Sequence, residues 1–531
     1  METPVSPIRI QSEPAFRNLR RVAFWAWLLI ELLFVSALIL GTRCANYEDV
    51  FVGGKIYFVD ADCYSRMTRA RMVAQHPGLL VRHQDFENYP AGTTPHTTAP
   101  LDYLIVGLAA LLKPFSARAF DLTGALVSPL LAVFCGWFLC CWSRWIRLPF
   151  RWAGLLLFAV SPILAHGTAL GRPDHQSLLI VLVLVALAAE WTLQQKPSRG
   201  WSLTSGLCWG FALWVSLYEP LLLLAVLTVA LACSRRAHPL AGWRSYALAG
   251  VLILAALVER RWPQLPGAEW RAWYSQWSAT IGELKAVSLT SPIWWQWFGG
   301  WSVLTPILLL TAAAQRKIAP WLVTLFLLTF ALTLWQVRWS YFFAAIFCLT
   351  IPALLAVVRP RWLGGLVATL AFLPFLQTWD AEIWPNEQRQ TARAEARLEA
   401  AEWRTLAETL PRDQVAPFLA PWWLSPAAVY WSGQPAIAGS SHESLPGIVT
   451  SARFFASTEP NEARALIAST QARWVLAYDG QRTAENCAAI LNRIVTRRGL
   501  CFTLDHAPSQ APDFLSLTRE NGVGKVYRVR P

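Results

Sequence analysis

Acidic residues lie at the ends of apolar segments in this chain, where placing a carboxylate in the membrane costs free energy. Asp60 and Asp62 follow the first such segment, and Asp174 immediately precedes another, within the motif Gly-Arg-Pro-Asp-His-Gln. A charged side chain at the bilayer centre costs about 2.5–3.5 kcal/mol on insertion scales, so acids of this kind usually mark a pathway or a site. If both motifs open on the same side of the membrane, they can converge on one metal ion and one phosphorylated ligand.

The composition indicates a protein with many membrane spans. Of the 531 residues, 55% are hydrophobic and 15% are charged, whereas soluble proteins carry about 25% charged residues. The 30 tryptophans are typical of helix ends at lipid–water boundaries. Lys and Arg outnumber Asp and Glu by 46 to 33, but much of this excess lies in short connections between apolar segments. That distribution is a topology signal, so we exclude a nucleic-acid partner.

Eleven apolar segments are predicted to span the membrane, with basic turns on the cytoplasmic side. The basic residues before the first segment place the N-terminus in the cytoplasm, and this segment is predicted to be an anchor rather than a cleaved signal. The shorter Leu101–Leu112 is predicted to be an interfacial helix, because counting it as a span would put Asp174 inside. The eleven segments are Val22–Leu40, Leu122–Trp142, Trp152–Leu170, Ser177–Leu193, Trp201–Leu217, Leu221–Cys233, Ser245–Val258, Trp301–Ala314, Trp321–Trp335, Tyr341–Val358 and Leu363–Leu376.

This topology divides the chain into a transmembrane domain, residues 1–379, and an extracytoplasmic α/β domain, residues 380–531. The first loop, residues 43–121, and a later loop, residues 259–297, would lie on the same outer side. The C-terminal region begins with a charged helix at Thr391–Leu410. Its predicted strands are Gln414–Leu419, Arg473–Tyr478, Cys501–Leu504 and Val523–Val529.

Four of the ten cysteines lie outside the apolar segments. In an oxidising compartment Cys44 could pair with Cys63, and Cys487 with Cys501. Spacing alone does not establish either disulfide, so both pairings stay open.

Four outer elements would share one compartment, and together they resemble the catalytic subunits of oligosaccharyltransferases, within the membrane-embedded GT-C glycosyltransferases. The first-loop acids come first, and the Gly-x-x-Asp motif ending at Asp174 follows. A Thr-Ile-x-Glu motif then ends at Glu283 in the later loop, and Arg338 precedes a late helix. This order matches the family, and it implies a GT-C fold with a polyprenyl-linked sugar donor.

The resemblance also implies a divalent metal, Mg²⁺ or Mn²⁺, and a first-loop acid that binds it and engages the acceptor nucleophile. Such ions prefer hard oxygen ligands and can neutralise charge on a departing phosphate. Tyr64, two positions after Asp62, fits the family's Asp-x-Tyr and favours Asp62. Arg66, six positions after Asp60, fits its Asp-x5-Arg and favours Asp60. Both acids therefore stay open as the catalytic residue.

The later motifs are assigned by the same resemblance. Asp174 matches the family's metal-binding aspartate, with His175 and Gln176 as neighbouring candidate ligands. Gln176 stands where relatives usually carry an acid or a histidine, and a neutral amide is a poorer ligand. Glu283 is similar to the loop glutamate that completes the acceptor site and is the third candidate catalytic acid.

Arg338 resembles the arginine that binds the lipid phosphate, a role suited to the guanidinium group. Arg172 could replace a family arginine that is missing here, and Tyr341 is a further candidate contact to the donor. The candidate acceptor-side or supporting residues are Tyr64, Arg66, His96, Trp422 and Trp423.

Each candidate also has an ordinary structural alternative. Asp60 and Asp62 could be polar loop residues, and Asp174 could cap the next helix, since Asp is a favoured N-cap. Arg338 could anchor its hairpin at the membrane interface.

One departure limits the transfer of function. Many relatives carry Trp-Trp-Asp-Tyr-Gly, which recognises the acceptor hydroxyl, whereas here Leu424 follows Trp422 and Trp423. We therefore expect a bacterial inner-membrane glycosyltransferase whose acceptor is a glycan, a lipid or a protein. Protein N-oligosaccharyltransferase is the alternative within the same class. A lipid-linked glycan transporter or polymer-assembly protein is the alternative from another class, although transporters more often show internal repeats.

Overall fold

The computed structural model describes residues 14–234, 236, 238, 240–261 and 268–530, and it is predominantly helical. The parts of the predicted domains at residues 1–13, 235, 237, 239, 262–267 and 531 lie outside the described residues. The helices are α1 (Pro14–Arg43), α2 (Tyr47–Val50), α3 (Ala61–Gln75), α4 (Pro100–Leu112), α5 (Ala119–Trp145), α6 (Arg151–Val160), α7 (Pro162–Gly167), α8 (His175–Gln195), α9 (Arg199–Val215), α10 (Tyr218–Cys233), α11 (Trp243–Glu259), α12 (Ala268–Ala279), α13 (Ile293–Phe298), α14 (Trp301–Ala314), α15 (Pro320–Trp335), α16 (Ser340–Leu355), α17 (Arg361–Ile383), α18 (Glu387–Ala407), α19 (Ser425–Ser432), α20 (Leu445–Ala456), α21 (Pro460–Thr470), α22 (Gly480–Leu491) and α23 (Leu500–His506).

Short strands and 3₁₀ turns complete the described elements. The strands are β1 (Phe51–Val52), β2 (Lys55–Ile56), β3 (Phe418–Leu419), β4 (Trp474–Tyr478), β5 (Leu515–Glu520) and β6 (Gly524–Val529). The 3₁₀ turns are Gly282–Leu284, Val337–Trp339, His442–Ser444 and Pro508–Gln510.

Five of the described helical segments are long and apolar enough to cross a membrane. They are Val22–Arg43, Ala119–Trp145, His175–Gln195, Val337–Leu355 and Arg361–Ile383. Each predicted span overlaps a helix, and the shorter Leu101–Leu112 is helical as expected. The chain is therefore a membrane-embedded helical protein, and the count of eleven spans stays a prediction.

The predicted span Trp152–Leu170 is wrong as a single helix, because the chain breaks between α6 and α7 at Ser161. Pro162 has no N–H, so the carbonyl of Phe158 has no helical donor. Arg43, fully buried at the end of α1, supplies donors instead. Its Nη2 donates to the Phe158 oxygen across 2.7 Å, and its Nη1 donates to the Ala159 oxygen. The break is thus satisfied inside an apolar core, as buried backbone groups require.

The C-terminal region contains a four-stranded sheet in the order β3-β4-β6-β5. The strand β3 is parallel to β4, and the other pairs are antiparallel. The predicted strands at Arg473–Tyr478 and Val523–Val529 are confirmed by β4 and β6, and Gln414–Leu419 is reduced to β3. The predicted strand Cys501–Leu504 is wrong, because these residues belong to α23. Its buried positions, 500, 501 and 504, share one helical face.

The C-terminal region packs against the first loop. Tyr64 on α3 contacts Tyr430 and Trp431 on α19, with ring centroids 5.8 and 5.1 Å apart. These residues belong to one buried apolar cluster with Trp403 and Leu476. The helix α17 runs through residue 380 to its end at Ile383. The division of the chain at that residue stays a prediction.

All ten cysteines are among the described residues, and all are free thiols. Cys44 is therefore not bridged to Cys63, nor Cys487 to Cys501, in this structure.

Candidate active site

The two acid motifs are brought together by a close approach between the first loop and the chain after α7. The Val59 N–H donates to the Gly171 carbonyl across 2.9 Å, and Gly171 N–H donates to Ala125 across 2.9 Å. Gly171 has a φ of +75°, and a Cβ there would lie 2.8 Å from Val50 Cγ2 and 3.2 Å from the Tyr57 oxygen. A glycine is therefore required where the loops that carry the acids meet.

The two helix-start aspartates differ in what their side chains do. Asp60 is the N-cap of α3, and its Oδ1 accepts a hydrogen bond from the Cys63 N–H across 2.9 Å. Asp174 precedes α8, but its side chain makes no capping hydrogen bond. The capping alternative given for Asp174 is therefore wrong for its carboxylate, whereas Asp60, for which no capping role was predicted, caps α3 with one oxygen.

Arg172 lies at the centre of the acidic residues, with only 4% of its side chain exposed. Its guanidinium lies 3.1 Å from Glu283 Oε1, 3.4 Å from Asp60 Oδ2 and 3.9 Å from Asp174 Oδ2. Burial alone would lower the pKa of Arg172, but the carboxylates of Asp60 and Asp174 raise it well above its usual range. The charge predicted to bind a donor phosphate is therefore already balanced by three carboxylates.

Glu283 is held by three neighbours from two separate segments. Besides Arg172, its Oε2 accepts a hydrogen bond from Gln176 Nε2 across 3.1 Å. The Tyr341 hydroxyl donates to its Oε1 across 3.4 Å. Because the Gln176 Oε1 accepts from Arg172 at 3.4 Å, both ends of this amide are used within the site. Gln176 therefore positions Glu283, and its role as a metal ligand stays a prediction.

Asp62 has no counter-ion within salt-bridge distance among the described residues, and its side chain is solvent-exposed. Partial enclosure by the site, together with the charges of Asp60, Asp174 and Glu283, raises the pKa of Asp62 to about 7. A carboxyl group of this kind can exchange a proton near neutral pH.

Asp174 is paired with the residue that follows it. Its Oδ1 lies 2.6 Å from His175 Nδ1. Burial would raise the pKa of Asp174, but His175 and Arg172 lower it below its ordinary value. Asp174 is thus ionised at neutral pH, and the Nδ1 of His175 is engaged by it.

These contacts test the predicted metal ligands. The carboxylates of Asp62 and Asp174 supply the hard oxygen atoms that Mg²⁺ or Mn²⁺ prefers, and their mutual repulsion would be relieved by a cation. Gln176 fits less well because both ends of its amide make hydrogen bonds, and His175 has only its Nε2 to offer because its Nδ1 is paired with Asp174. The fit therefore rests on the two aspartates.

Arg338 forms an ion pair that the sequence analysis did not predict. Its Nη2 lies 3.0 Å from Glu219 Oε1, and its guanidinium lies over the Tyr218 ring at 5.6 Å from the centroid. Of the Arg338 side chain, 20% is exposed. Glu219 lies in the first turn of the apolar helix α10, so the rule that singled out Asp174 could have found it.

Tyr64 and Arg66 lie in the packing beneath the site. The Tyr64 hydroxyl accepts from the Phe58 N–H across 3.0 Å. Arg66 is 1% exposed, and its Nη1 lies 2.8 Å from Asp102 Oδ1. These contacts hold α3 in place, so Tyr64 and Arg66 support the site rather than line it.

Trp422 and Trp423 contact the C-terminal region and the later outer loop rather than the acidic residues. Trp422 Nε1 donates to Asn486 Oδ1 across 2.9 Å, and its ring lies 6.0 Å from that of Trp277. The Arg482 guanidinium lies 5.7 Å from the Trp423 ring centroid. These contacts give no direct role at the acidic site.

Two contacts near the site were not predicted by the sequence analysis, one made by His166 and one made by the candidate residue His96. His166 lies between the Tyr341 hydroxyl, at 2.9 Å, and Arg172 Nη1, at 3.3 Å. His96 meets Glu443 in the C-terminal region, with Nδ1 and Oε1 2.6 Å apart. A histidine inside an apolar segment was a usable signal for His166, but nothing in the spacing links residues 96 and 443.

Comparison with known proteins gives a likeness in structure alone. No family model and no curated protein sequence matches the chain. The archaeal oligosaccharyltransferase AglB from Archaeoglobus fulgidus, in complex with an inhibitory peptide and a dolichol-phosphate, is 14% identical with a TM-score of 0.66. That alignment covers 89% of this chain and 71% of AglB. The A. fulgidus enzyme in complex with zinc and sulfate is also 14% identical, with a TM-score of 0.63, covering 94% of this chain and 73% of that chain.

A second solved transferase aligns over nearly its whole length. ArnT from Cupriavidus metallidurans, bound to undecaprenyl phosphate, is 14% identical with a TM-score of 0.58, covering 95% of this chain and 98% of ArnT. The chain therefore has the GT-C fold expected from its motifs, the fold of AglB and ArnT.

Proposed function

We propose that the protein is a glycosyltransferase that moves a sugar or oligosaccharide from a polyprenyl-(pyro)phosphate donor to an acceptor at the outer face of the bacterial inner membrane. The observation that carries this proposal is the convergence of Asp60, Asp174 and Glu283 on Arg172, beside Asp62. Likeness to structures that bind dolichol-phosphate and undecaprenyl phosphate supports a donor of this chemical class.

In this mechanism Asp62 takes the proton from the acceptor nucleophile. Its pKa of about 7 matches the requirement for a general base near neutral pH. A divalent ion held by Asp62 and Asp174 would neutralise charge on the leaving phosphate.

Arg172 positions the carboxylates, and Arg338 binds the donor phosphate. Arg172 is enclosed by three acids, so it holds Asp60 and Glu283 in place. Arg338 is paired with only one carboxylate, that of Glu219, and part of its side chain is exposed. An incoming phosphate can therefore accept hydrogen bonds from the same guanidinium group.

The proposed acceptor is not the asparagine of a protein sequon. Leu424, where relatives carry an acid, is partly buried against an apolar cluster that includes Ala427 and Tyr430. That position offers no carboxylate to the hydroxyl of an acceptor Ser or Thr. A glycan or lipid acceptor is therefore favoured over a protein acceptor.

A transfer assay tests the proposal. The full chain, purified in detergent, is incubated with undecaprenyl-phosphate-linked or undecaprenyl-pyrophosphate-linked radiolabelled sugar, with Mg²⁺, Mn²⁺ or a chelator. Bacterial membrane lipid extract and a peptide containing Asn-x-Thr serve as separate acceptor sources. We expect label in the lipid or glycan fraction from wild type and from Asp513→Asn, an exposed control. If Asp62→Asn transferred the sugar at the wild-type rate, Asp62 would not be the proton acceptor.

A further inference from the structure

A second group of metal-ligating side chains lies outside the acidic site. His96 comes from the first loop, and His442 and Glu443 come from the 3₁₀ turn in the C-terminal region. One ligand atom from each of the three lies within 4.8 Å of the others, and no other group in the described part of the chain meets that condition. The two imidazole rings are 4.6 Å apart between centroids.

The Glu443 carboxylate is directed between the two histidines. Its Oε1 accepts from the His96 backbone N–H across 2.6 Å and lies 2.6 Å from the His96 Nδ1. Its Oε2 is buried and accepts no hydrogen bond from the described residues, although it lies 3.6 Å from the His442 Nδ1. A buried carboxylate oxygen without a hydrogen-bond donor is costly, and a cation would satisfy it.

The charge states of the group suit a metal. Burial lowers the pKa of His442 to about 4, so its imidazole is neutral near pH 7. Burial would raise the pKa of Glu443, but His96 and His442 lower it below its ordinary value. A neutral imidazole and an ionised carboxylate are the forms that bind metal ions.

The metal ligands of this group differ from those of the acidic site. Two imidazoles and one carboxylate are the ligands of known His₂Glu zinc centres, which leave a fourth position open. Imidazole nitrogen suits Zn²⁺ and similar ions, whereas Mg²⁺ prefers carboxylate, carbonyl and water oxygen. The His96 ring lies 6.4 Å from that of His175, and the two groups share no residue.

We propose that His96, His442 and Glu443 form a binding site for one Zn²⁺-class ion, separate from the metal expected at the acidic residues. The ligands join the first loop to the C-terminal region, since residues 96 and 442 lie on either side of that contact. Occupancy therefore stabilises the packing of the C-terminal region over the first loop, which also carries Asp60 and Asp62.

Zinc binding by the full chain tests the proposal independently of transfer activity. The protein is purified in detergent with its affinity tag removed, stripped with a chelator and reloaded with Zn²⁺ alone. Metal per chain is measured by elemental mass spectrometry, and thermal midpoints are measured with Zn²⁺ and with Mg²⁺. We expect His442→Ala and Glu443→Gln each to bind one zinc fewer than wild type, or at least about tenfold more weakly. Both should also lose the rise in midpoint that Zn²⁺ gives to wild type.

The matched control is His506→Ala, because His506 is an exposed histidine beside a carboxylate, with Nδ1 3.6 Å from Asp505. It should keep the zinc content and the zinc-dependent midpoint of wild type. Unchanged zinc content in both site variants would overturn the proposal, and so would an equal rise in midpoint with Mg²⁺. Glu443→Gln keeps the shape of the side chain, so this variant still tests the proposal if His442→Ala does not fold.

Discussion

The Gln176 amide donates a hydrogen bond to the Glu283 carboxylate, with Nε2 and Oε2 3.1 Å apart. An acid at this position would face that carboxylate directly, and like charges at such a distance cannot both ionise cheaply. We expect Gln176→Glu to lower the thermal midpoint at about pH 8 and to lose less at about pH 5, where one carboxyl takes up a proton. Transfer should fall because Glu283 is displaced.

Gln390→Glu is the matched control for that change, because Gln390 is exposed on α18. It should shift the midpoint little at either pH. Equal midpoints for Gln176→Glu and wild type at high pH would contradict the assigned hydrogen bond.

Removal of the buried Arg172 charge should be strongly destabilising. The substitution Arg172→Gln leaves Asp60, Asp174 and Glu283 without their shared cation, and breaking a buried pair on one side costs about 3–5 kcal/mol. Adding Glu283→Gln should restore part of the loss, because one of the unpaired charges is then removed. Thermal midpoints of the single and double variants in detergent measure both effects.

Arg464 provides the comparison for the Arg172 variants. It pairs with Asp513 across 3.0 Å at the surface, where 58% of the Arg464 side chain is exposed. Because such pairs contribute about 0–1 kcal/mol, Arg464→Gln should barely move the midpoint. A similar small effect for Arg172→Gln would mean that Arg172 does not hold the acids together.

Substitutions of the two first-loop acids should separate their roles. Asp62→Asn removes the proposed proton acceptor and should lower kcat by at least about 100-fold. Asp60→Asn keeps a good N-cap for α3 and should lower kcat less, whereas Asp60→Ala should also lose about 0.5–2 kcal/mol of stability. Turnover at saturating donor measures the difference. A larger loss of kcat in Asp60→Asn than in Asp62→Asn would reverse the assignment.

The pKa of Asp62 also predicts a pH dependence of stability. The pKa is raised from 3.8 to about 7 by folding. The stability contribution of the protonated carboxyl is therefore complete below about pH 4 and is lost as the pH rises through about 7. In chelator, the midpoint of Asp62→Asn should equal that of wild type at about pH 4 and exceed it at about pH 8. A difference that does not change with pH would contradict the raised pKa.

Much of the fold was predictable because it depends on local patterns. Runs such as Leu122–Trp142 carry their own signal in length and hydropathy. The break inside Trp152–Leu170 was not predicted, although Pro162 was visible, because it depends on a donor that comes from Arg43 far away in the chain. The strand assigned to Cys501–Leu504 was wrong because a run of four residues, three of them apolar, does not distinguish a strand from a helix.

The candidate site was predictable only in part. Asp60, Asp174 and Glu283 were identified from motifs, and the structure places them around one guanidinium. That Arg172 is this guanidinium could not be inferred, since it requires three distant segments to meet. The pairing of Arg338 with Glu219 likewise depends on the packing of separate helices.

The hydrogen bonds of Arg43 affect how the candidate site is positioned. Arg43 donates to the carbonyls at the end of α6, and its own carbonyl accepts from the Leu170 N–H across 2.9 Å. The chain leading to Asp60 and the chain leading to Asp174 thus depart from a single pinned junction. A movement of this junction would therefore carry both carboxylates together, because the Val59 N–H also donates to the Gly171 carbonyl.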